Sequence, residues 1–523
     1  MKRILTILAF VTLLAVNIKA QKENHNWFFG SKIGLTWNIT QNYPATGMWG
    51  TPNATLSDIP TSIPSSMSTG EGCFSISDVN GELLFYSDGI TIWNKNGNPM
   101  PNANGHLTGH PSSAQSGIIV PYPGKPNQYI AFTLGFGNHN NLSYSVVDMT
   151  LDGGLGDVVV GQRNIRLTGY SGVLGESLTA IRHRNREDFW LVAAGRGNPA
   201  YLNVWKVNSA GVSATPHQRI STGANIPATT APCGYIASSP AGDKYVWCTY
   251  NPGTPQVHFM FGAFDNEAGI IKNIKRRDLG TTTTFGATYG AAFSKSGEYI
   301  YITSLTGTRN ISGHSSLAVF KFNDLLAAAN PNTVAVIRQI AAGKGLPSNG
   351  INEHFGALGL APNGYLYIVH PFSKNMYTIT NPEDPANMKI YKLSNLALNG
   401  IENIYGIPTA AAPWFRFQIV PPPETIACNT VATSYEFRVY GGEGFNDLKS
   451  IVIDFGDNKS DSKVTILNPS VGSHMENHVY DKIGEYTITI KAYDQYDNEM
   501  QGMEKSSTIK VKSCALPVNP NIH

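Results

Sequence analysis

The chain has 523 residues, more than one hydrophobic core normally supports, so several domains or a closed repeat are expected. Lys and Arg number 38 and Asp and Glu number 36, and this near-neutral balance gives no electrostatic basis for binding nucleic acid or an anionic membrane. Charged residues make up only 14% of the chain, which favours a β-rich extracellular protein with many turns.

The first 20 residues have the pattern of a cleavable export signal. Lys2 and Arg3 form a short positive region, and the apolar run 4–16 is shorter than the roughly 20 residues that span a bilayer. A cleavage site follows Ala20, and no Cys comes directly after the apolar run, as a lipoprotein anchor would require. We therefore expect residues 1–20 to be removed and the mature protein to act outside the cytoplasm without inserting into a membrane.

Short strands rich in Tyr, Val, Ile and Phe recur after polar or Gly-containing turns. Six of them return roughly every 50 residues, a period typical of propeller blades. They are residues 81–86, 127–132, 187–192, 242–247, 297–302 and 364–369. Three of the preceding turns contain Gly242, Gly297 and Gly364, at positions where a tight hairpin needs positive φ.

The segments at the two ends of this repeat predict how a ring would close. Strands are predicted at 26–30 and 33–37, before the first repeat, and residues 401–417 supply strands after the last. A propeller must close, and it often builds one blade from both termini. We therefore predict an all-β fold with a β-propeller of about seven blades over residues 24–418, with six or eight blades as alternatives. The run 323–329 predicts a short inserted helix.

The C-terminal part predicts a second, smaller domain. Residues 419–424 are Pro-rich and are expected to form an extended, stiff linker. The segment after the linker has the size and strand spacing of an immunoglobulin-like sandwich of about seven strands, followed by a tail. The sandwich is assigned to 425–515 and the tail to 516–523, with strands at 436–440, 449–454, 485–493 and 507–511.

Five Cys residues leave at least one unpaired or intermolecular thiol. Cys428 and Cys514 bracket the predicted sandwich, as a disulfide clasp would. Cys233 and Cys248 lie on the two arms of a predicted hairpin and are a second candidate pair, although connectivity cannot be deduced from sequence alone. Cys73 is then left over, and we expect it to be a buried free thiol.

Two segments of the second domain resemble a known family. Residues 451–458 read Ile-Val-Ile-Asp-Phe-Gly-Asp-Asn, and His478-Val-Tyr is followed by Gly484-Glu-Tyr-Thr-Ile-Thr-Ile. They resemble the PKD domain, whose usual pattern is W-D-F-G-D-G followed by H-x-Y-x-x-x-G-x-Y-T-V-T. Ile453 stands in place of the usual Trp and Asn458 in place of the usual Gly. The resemblance implies an immunoglobulin-like PKD β-sandwich.

The remainder of the chain adds a second resemblance. Residues 71–78, 81–94, 112–117 and 405–408 occur in the order seen in large secreted propeller-plus-PKD proteins of gliding and type IX-secreting Bacteroidota. The likeness covers nearly the whole mature chain. Members of that family usually continue into a C-terminal sorting domain, which this sequence lacks. The resemblance therefore implies an exported protein at the cell surface, associated with the outer membrane or extracellular. The departure from the family, the missing sorting domain, points to a periplasmic or outer-membrane-associated component in place of ordinary cargo.

Few residues suggest a ligand site. Asp454, Asp457 and Asn458 lie near one turn and offer the oxygen ligands that calcium prefers, and PKD domains sometimes bind calcium, so it is the one cofactor considered. The aromatic residues in Gly-rich or Pro-rich loops are nominated as binding residues that stack on sugars or anchor a partner. These are Tyr170, Tyr250, Tyr289 and Phe355.

No catalytic residue is assigned. His354 beside Glu353, and His183 among several Arg residues, are polar clusters for which no partner base or nucleophile can be named. We therefore expect a non-enzymatic binding or scaffold protein whose propeller loops engage a protein partner of the outer-membrane secretion or cell-surface apparatus, or a surface glycan. The PKD domain would act as a spacer or second contact. The alternative is an extracellular glycan-degrading enzyme with a catalytic propeller.

Overall fold

A computed structural model of the chain describes residues 22–137, 141–170, 173–185, 187–226, 233–249, 256–281, 284–305, 314–344, 352–397, 399–411, 418–422, 425–440, 448–470, 472–500 and 505–514. These residues are nearly all β, in mostly antiparallel sheets, with one α-helix among them. The predicted signal peptide lies outside the described residues. In the described part of the chain, no helix has the length and apolar character needed to cross a membrane.

A long N-terminal hairpin and the last strands of the first unit share one sheet. The hairpin strands are β1 (Asn26–Phe29), β2 (Ser31–Met48) and β3 (Ala54–Ser68), paired in that order. The last strands are β25 (Leu358–Leu360), β26 (Leu366–Val369), β27 (Met376–Ile379) and β28 (Ile390–Leu393). Residues 46–48, at the far end of β2, pair with β28 and so join the two groups of strands into a seven-stranded sheet.

Five further antiparallel sheets of the described residues lie between these groups in the chain. The first contains β4 (Phe74–Ser77), β5 (Leu83–Ser87) and β6 (Ile92–Asn94). The second contains β7 (Gly117–Pro121), β8 (Gln128–Leu134), β9 (Leu142–Asp148), β10 (Asp157–Val158) and β11 (Ile165–Arg166). The third contains β12 (Val173–Arg182), β13 (Phe189–Arg196), β14 (Tyr201–Asn208), β15 (Gly211–Val212) and β16 (Gln218–Ser221).

The remaining two sheets of this unit have four strands each. One contains β17 (Ile236–Ser238), β18 (Lys244–Thr249), β19 (Gln256–Asp265) and β20 (Ile270–Thr281). The other contains β21 (Ala287–Phe293), β22 (Tyr299–Leu305), β23 (His314–Lys321) and β24 (Arg338–Lys344). The helix α1 (Phe322–Ala327) follows β23 and buries Phe322 and Leu325. The predicted helix is therefore present, but it begins one residue earlier and ends two residues earlier than the predicted run 323–329.

Five of the six repeat strands predicted from the sequence correspond to the second strand of a sheet in chain order, and the sixth pairs with the edge strand β25 of the seven-stranded sheet. They are β5, β8, β13, β18, β22 and β26. The three turn glycines, Gly242, Gly297 and Gly364, have φ values of 69°, 72° and 78°. Each N–H donates to the carbonyl three residues earlier at 2.9 Å, so the predicted tight turns are confirmed.

The first strands of successive sheets lie side by side. β4 contacts β7, β7 contacts β12, β12 contacts β17, β17 contacts β21 and β21 contacts β25, and we call these six the inner strands. β1 contacts β4 on its other side. Buried apolar side chains of neighbouring sheets form shared cores, for example Phe74, Phe132 and Leu178 from three consecutive sheets. Burial of such side chains stabilises the fold by about 1.5–3 kcal/mol each.

The two ends of the first unit are joined by backbone hydrogen bonds. Tyr405 N–H donates to Gly70 O at 3.0 Å, and Tyr405 O accepts from Ala357 N–H at 2.8 Å. Thr409 N–H donates to Cys73 O at 2.9 Å. Residues 401–411 form these isolated bridges and no strand, and 412–417 lie outside the described residues. The strands predicted over 401–417 are therefore not formed in the described part, 401–411, which instead links the residues before β4 to those before β25 by single hydrogen bonds.

The C-terminal unit contains two sheets. One contains β29 (Gln418–Val420), β31 (Thr433–Tyr440) and β34 (Gly472–His478). The other contains β30 (Thr425–Cys428), β36 (Lys505–Lys512), β35 (Gly484–Asp494), β32 (Leu448–Asp454) and β33 (Lys463–Leu467), in that order. Buried side chains from both, including Phe437 and Phe455, meet in one core. The four predicted strands correspond to β31, β32, β35 and β36, whereas β29 pairs with β31 within the stretch predicted as linker.

Candidate functional site

A cavity of about 120 Å³ lies among the inner strands. Its walls combine residues from four inner strands with residues from both ends of the unit, among them Thr179, Ile236, Ala291, Leu358, Trp27 and Ile407. Gln115 braces it, because its Oε1 accepts hydrogen bonds from Ile236 N–H at 2.9 Å and Leu178 N–H at 3.2 Å. One side chain thereby holds the strands of two neighbouring sheets, and the lining is largely apolar.

A cluster of polar side chains lies where the inner strands begin. Glu71 precedes β4, Glu176 lies in β12 and Tyr289 lies in β21, and we call these three residues the carboxyl cluster. The Tyr289 hydroxyl donates to Glu71 Oε1 at 3.3 Å, and the Ser112 hydroxyl donates to Oε2 at 3.4 Å. Glu176 Oε2 accepts from Ala114 N–H at 3.1 Å.

Burial controls the protonation of this cluster. Glu176 is 2% exposed, and Glu71 is partly accessible to solvent. Burial, followed by the charge of Glu176, raises the pKa of Glu71 to about 8. Burial also raises the pKa of Glu176 to about 7, although backbone N–H groups and the Arg196 guanidinium oppose the shift. Near neutral pH, therefore, Glu71 holds its proton more tightly than its neighbour does.

Tyr235 connects the carboxyl cluster to the cavity. Its ring lines the cavity and lies 5.5 Å from the ring of Tyr289. Its hydroxyl donates to Ile407 O and accepts from Ile407 N–H, both at 3.1 Å. The segment that closes the first unit is thus fixed at the same point as the polar cluster.

An open groove lies near the residues where β4, β7 and β12 end. Its volume is about 600 Å³, and we call it the Tyr129 groove. It is lined by Glu23, Val79, residues 121–129, Arg182, Glu187 and Phe189. A small cavity of about 20 Å³ lies between the groove and the cavity among the inner strands. Glu23 lines both the small cavity and the groove, and Asn24 and Thr409 line both cavities.

Glu23 is the buried polar residue of the Tyr129 groove. Its side chain is 7% exposed, and Oε2 has no hydrogen-bond partner among the described residues. Burial raises the pKa of Glu23 to about 7, partly opposed by the charge of Arg182. Burial and the charges of Glu23 and Asp78 raise the pKa of Tyr129 to about 12. Tyr129 therefore remains a neutral hydroxyl near a carboxyl of which one oxygen, Oε2, lacks a donor.

The structure distributes the four nominated aromatic residues unevenly. Tyr289 and Phe355 are fully buried, at 0% exposure. The prediction that their rings contact a ligand at the surface is therefore wrong. Tyr289 belongs to the carboxyl cluster, and Phe355 packs against Trp49 and Tyr377 at 5.3 Å. Tyr170 is half-buried, with its ring 6.2 Å from that of Trp205. Tyr250 lies outside the described residues.

The two His-containing clusters noted in the sequence have structural partners. Glu353 accepts hydrogen bonds from Lys392 Nζ at 2.7 Å and from the Tyr377 hydroxyl. Burial opposes ionisation of Glu353, but these two donors and the charge of Lys392 leave its pKa below the usual value. His183 stacks on Trp190 with ring centroids 5.4 Å apart. Arg182, next to His183 in the chain, lines the Tyr129 groove, whereas Glu353 and His354 line neither the groove nor the cavity.

The proposed calcium residues bind other side chains of the C-terminal unit. Asp454 forms an ion pair with Lys463 at 3.2 Å, and Asp457 contacts His478 at 2.8 Å. Asn458 occupies the turn with φ of 59°. Within the described ranges, no group of three or more His, Cys, Asp or Glu side chains could hold a metal ion. The carboxylates of Asp454 and Asp457 are therefore engaged by side chains of the same unit.

The cysteines agree with one predicted pair and not with the other. Cys428 and Cys514 form a disulfide, with Cα atoms 5.4 Å apart. Cys233 and Cys248 are both free, so the second candidate pair does not form. Cys248 lies in β18, and its thiol donates instead to Gly290 O at 3.4 Å. Cys73 is a buried free thiol.

Sequence reasoning missed Glu71, Glu176, Glu23 and Tyr129. One signal was available for Glu176, because it is the only carboxylate in the apolar run 173–182, and buried carboxylates in strands need partners. Glu71 and Glu23 lie in turns, where an acidic residue is common and carries no such signal. Tyr129 belongs to a predicted strand, in which an aromatic residue is ordinarily part of the core.

Comparison with known proteins adds little to this description. No protein-family model matches the chain, and no curated protein matches it. Among solved structures, one from Bacteroides uniformis ATCC 8492, provisionally described as a 6-phosphogluconolactonase, is similar with a TM-score of 0.39 and 14% sequence identity. The match covers 67% of this chain and 93% of that chain. A likeness at this level carries no argument about fold detail or activity.

Proposed function

We propose that this chain is an exported, non-enzymatic binding protein of the cell envelope, built from a seven-bladed propeller and a PKD-type sandwich. Support for seven blades comes from the sheets. Five lie between the chain ends, and the seven-stranded sheet is two ladders that share only the pairs between residues 46–48 and β28. Taken as two blades, β1–β3 and β25–β28 complete a ring around the inner strands.

The Tyr129 groove is the observation that carries the binding function. It is open, it is larger than the cavity, and it lies on a surface held by the ends of three inner strands. Clefts of about 300–1,000 Å³ with aromatic walls and a few polar groups are typical ligand sites. A rigid ring with such a cleft suits capture of a ligand better than chemistry on it.

The ligand is a component of the cell envelope. The resemblance to secreted Bacteroidota proteins favours a protein of the outer-membrane secretion or surface apparatus, or a surface glycan. The C-terminal unit would act as a spacer or second contact. The export pattern of residues 1–20 supports a location outside the cytoplasm, at the cell surface, associated with the outer membrane or extracellular.

Affinity purification of the tagged protein from its native envelope tests this proposal. We expect a stoichiometric envelope component to co-purify with the wild-type chain and to be lost when Tyr129 is replaced by Ala. A Val160→Ala variant is the matched control, because that residue is 86% exposed and lines neither the groove nor the cavity. Recovery of the tagged chain alone, under conditions that preserve envelope complexes, would contradict the proposal.

A second function is favoured by the carboxyl cluster. Glu71 and Glu176 are neighbouring carboxyls whose pKa values lie close to neutrality, as a general acid and its partner base require. Glu71 is also partly accessible. This arrangement supports an extracellular glycan-degrading enzyme. Release of reducing ends from neutral polysaccharides by the wild-type chain, abolished in Glu71→Gln, would favour the enzyme over the binding protein.

A further inference from the structure

We propose that the Tyr129 groove binds an uncharged glycan, with a sugar ring stacked on Tyr129 and a sugar hydroxyl donating to the carboxyl of Glu23. This assignment rests on the proposed binding function and names the ligand class of its groove. Three properties of the groove support it: an unsatisfied acceptor, aromatic and proline walls, and balanced charge.

The acceptor is Oε2 of Glu23. Glu23 is buried, with 7% of the residue exposed, yet this oxygen receives no hydrogen bond from the described residues. A buried acceptor without a donor is unfavourable, because it has lost its hydrogen bonds to water and gained none in the protein. A ligand that brings a hydroxyl to this point recovers that cost. Glu23 is held in place because its backbone carbonyl accepts from Ser77 N–H at 2.8 Å.

The apolar walls fit the C–H face of a sugar. Tyr129 is half-buried, and its ring packs edge-on against Phe85 with centroids 5.7 Å apart, which fixes the ring orientation. Pro121, Pro123 and Pro126 line the same groove. An aromatic ring of fixed orientation provides contact area with little loss of side-chain entropy on binding. A ligand with an apolar face and many hydroxyl donors meets both the walls and the Glu23 acceptor.

The charge of the groove favours an uncharged ligand. Two cationic side chains, Lys125 and Arg182, and two acidic ones, Glu23 and Glu187, line it. The Lys125 ammonium lies over the Tyr122 ring, 4.0 Å from its centroid. A polyanion or polycation would find like charges opposite half of these groups, which lowers affinity. A neutral sugar can use both signs as hydrogen-bond partners.

The loop that carries most of the groove is already ordered by its own hydrogen bonds. Tyr122 N–H donates to Gln128 O at 2.9 Å, and Lys125 N–H donates to Tyr122 O at 3.0 Å. Proline fixes φ at three positions of the loop. Binding therefore does not require the loop to fold, and more of the contact energy appears as affinity.

An oligosaccharide array tests the assignment. Purified wild-type chain is applied to neutral tetrasaccharides of glucose, mannose, xylose and N-acetylglucosamine in α and β linkage, beside an array of proline-rich peptides. The tightest sugar is then titrated by calorimetry against four variants, each first shown to be folded by circular dichroism. We expect Tyr129→Ala and Glu23→Gln to weaken binding at least roughly tenfold. Tyr129→Phe, which keeps the ring, should restore most of the affinity that Tyr129→Ala loses. Val160→Ala, at an exposed residue that lines neither the groove nor the cavity, should stay within about threefold of wild type.

Each outcome decides the glycan assignment. A sugar bound by wild type and lost in Tyr129→Ala supports it, whereas a sugar bound equally by both chains overturns it. Retention of no tetrasaccharide by the folded wild-type chain also overturns it, and so does a groove-dependent peptide in place of a sugar. If a peptide binds in place of a sugar, or if an envelope protein co-purifies with wild type but not with Tyr129→Ala, the proposed binding function stands. In both cases the assignment of the ligand as a glycan fails.

Discussion

The hydroxyl of Tyr289 donates a hydrogen bond of 3.3 Å to Oε1 of Glu71, across 218 residues of sequence. Tyr289 lies in the inner strand β21, whereas Glu71 lies just before the inner strand β4. Because burial raises the pKa of Glu71 to about 8, with the charge of Glu176 as a second cause, this carboxyl is mostly protonated at neutral pH. The contact joins the two sheets through a neutral carboxyl, and its strength therefore depends on pH.

Replacing Glu71 by Gln should change how the stability depends on pH. A carboxyl with a raised folded-state pKa binds its proton more tightly when folded than when unfolded. Its contribution is complete below the ordinary pKa of about 4.5, declines as the pH rises, and is lost above about 8. Between pH 5 and pH 9 we expect Glu71→Gln to gain roughly 1–3 kcal/mol relative to wild type. Urea unfolding at several pH values measures this difference.

A matched control for this experiment is Glu187→Gln, since Glu187 is an exposed carboxylate remote from the carboxyl cluster. The difference between Glu187→Gln and wild type should stay constant over the same pH range. Buried His258 and His370 have pKa values lowered to about 4 by burial, and they act in the opposite sense below pH 6.5. They contribute equally to both chains. Parallel pH profiles for Glu71→Gln and wild type would contradict the shift assigned to Glu71.

Trp49, at the tip of the β2–β3 hairpin, packs against aromatic residues of the segment that contains β25–β28. Its ring centroid lies 5.3 Å from Phe355 and 5.5 Å from Tyr377. Trp49→Ala should lower the free energy of unfolding by roughly 2–3 kcal/mol, because removal of the half-buried ring leaves a gap beside Phe355 and Tyr377. Ile39→Ala, on the same hairpin but 67% exposed, should cost less than about 0.5 kcal/mol. An equal loss of unfolding free energy in both variants would mean that the Trp49 contacts do not stabilise the hairpin tip.

The sequence predicted those features whose signal is local. Gly242, Gly297 and Gly364 marked turns correctly because positive φ is a property of one residue and its neighbours. The six repeat strands were predicted for the same reason, since each begins close to its turn. They are β5, β8, β13, β18, β22 and β26. In the C-terminal unit, four predicted strands correspond to observed ones for the same reason.

Features that depend on packing between sheets were not accessible in this way. The glycines beside Tyr289 predict an exposed loop, but Gly290 lies in the inner strand β21, where small residues permit close packing, and Gly286 directly precedes that strand. Gly290 has its closest neighbours in Thr303, Leu358 and Ala357. Likewise, the hydrogen bond between Tyr289 and Glu71 follows from the order of sheets, which no local pattern specifies.

The disulfide should stabilise the C-terminal unit substantially. Cys428 and Cys514 are separated by 86 residues, so the bond restricts a long loop in the unfolded chain. Replacing both by Ser should cost roughly 2–4 kcal/mol. Thermal unfolding with and without a reductant measures the effect on the wild-type chain. Of the five Cys residues, three are free, so thiol titration of the denatured chain should give three thiols before reduction and five after it. Any other count before reduction would contradict this pairing.

Calcium should not stabilise the chain, and the reason lies in the partners of Asp457. Its carboxylate contacts His478 Nε2 at 2.8 Å, and both side chains are buried, at 4% and 2% exposure. His478 is held in turn by stacking on Phe455, with ring centroids 4.2 Å apart. A cation would have to displace these contacts, and so we expect the melting temperature to change by less than roughly 1 °C on adding calcium or a chelator.

Asp457→Asn tests the same pair from the protein side. Loss of the charge leaves His478 beside a weaker acceptor in a buried place, and the expected cost is roughly 2 kcal/mol of unfolding free energy. Asp497→Asn is the matched control, because Asp497 pairs with Lys449 at 2.8 Å but is 71% exposed, and such pairs contribute less than about 1 kcal/mol. A melting temperature that rises by several degrees with calcium in wild type, and not in Asp457→Asn, would contradict this expectation and support calcium binding at these residues.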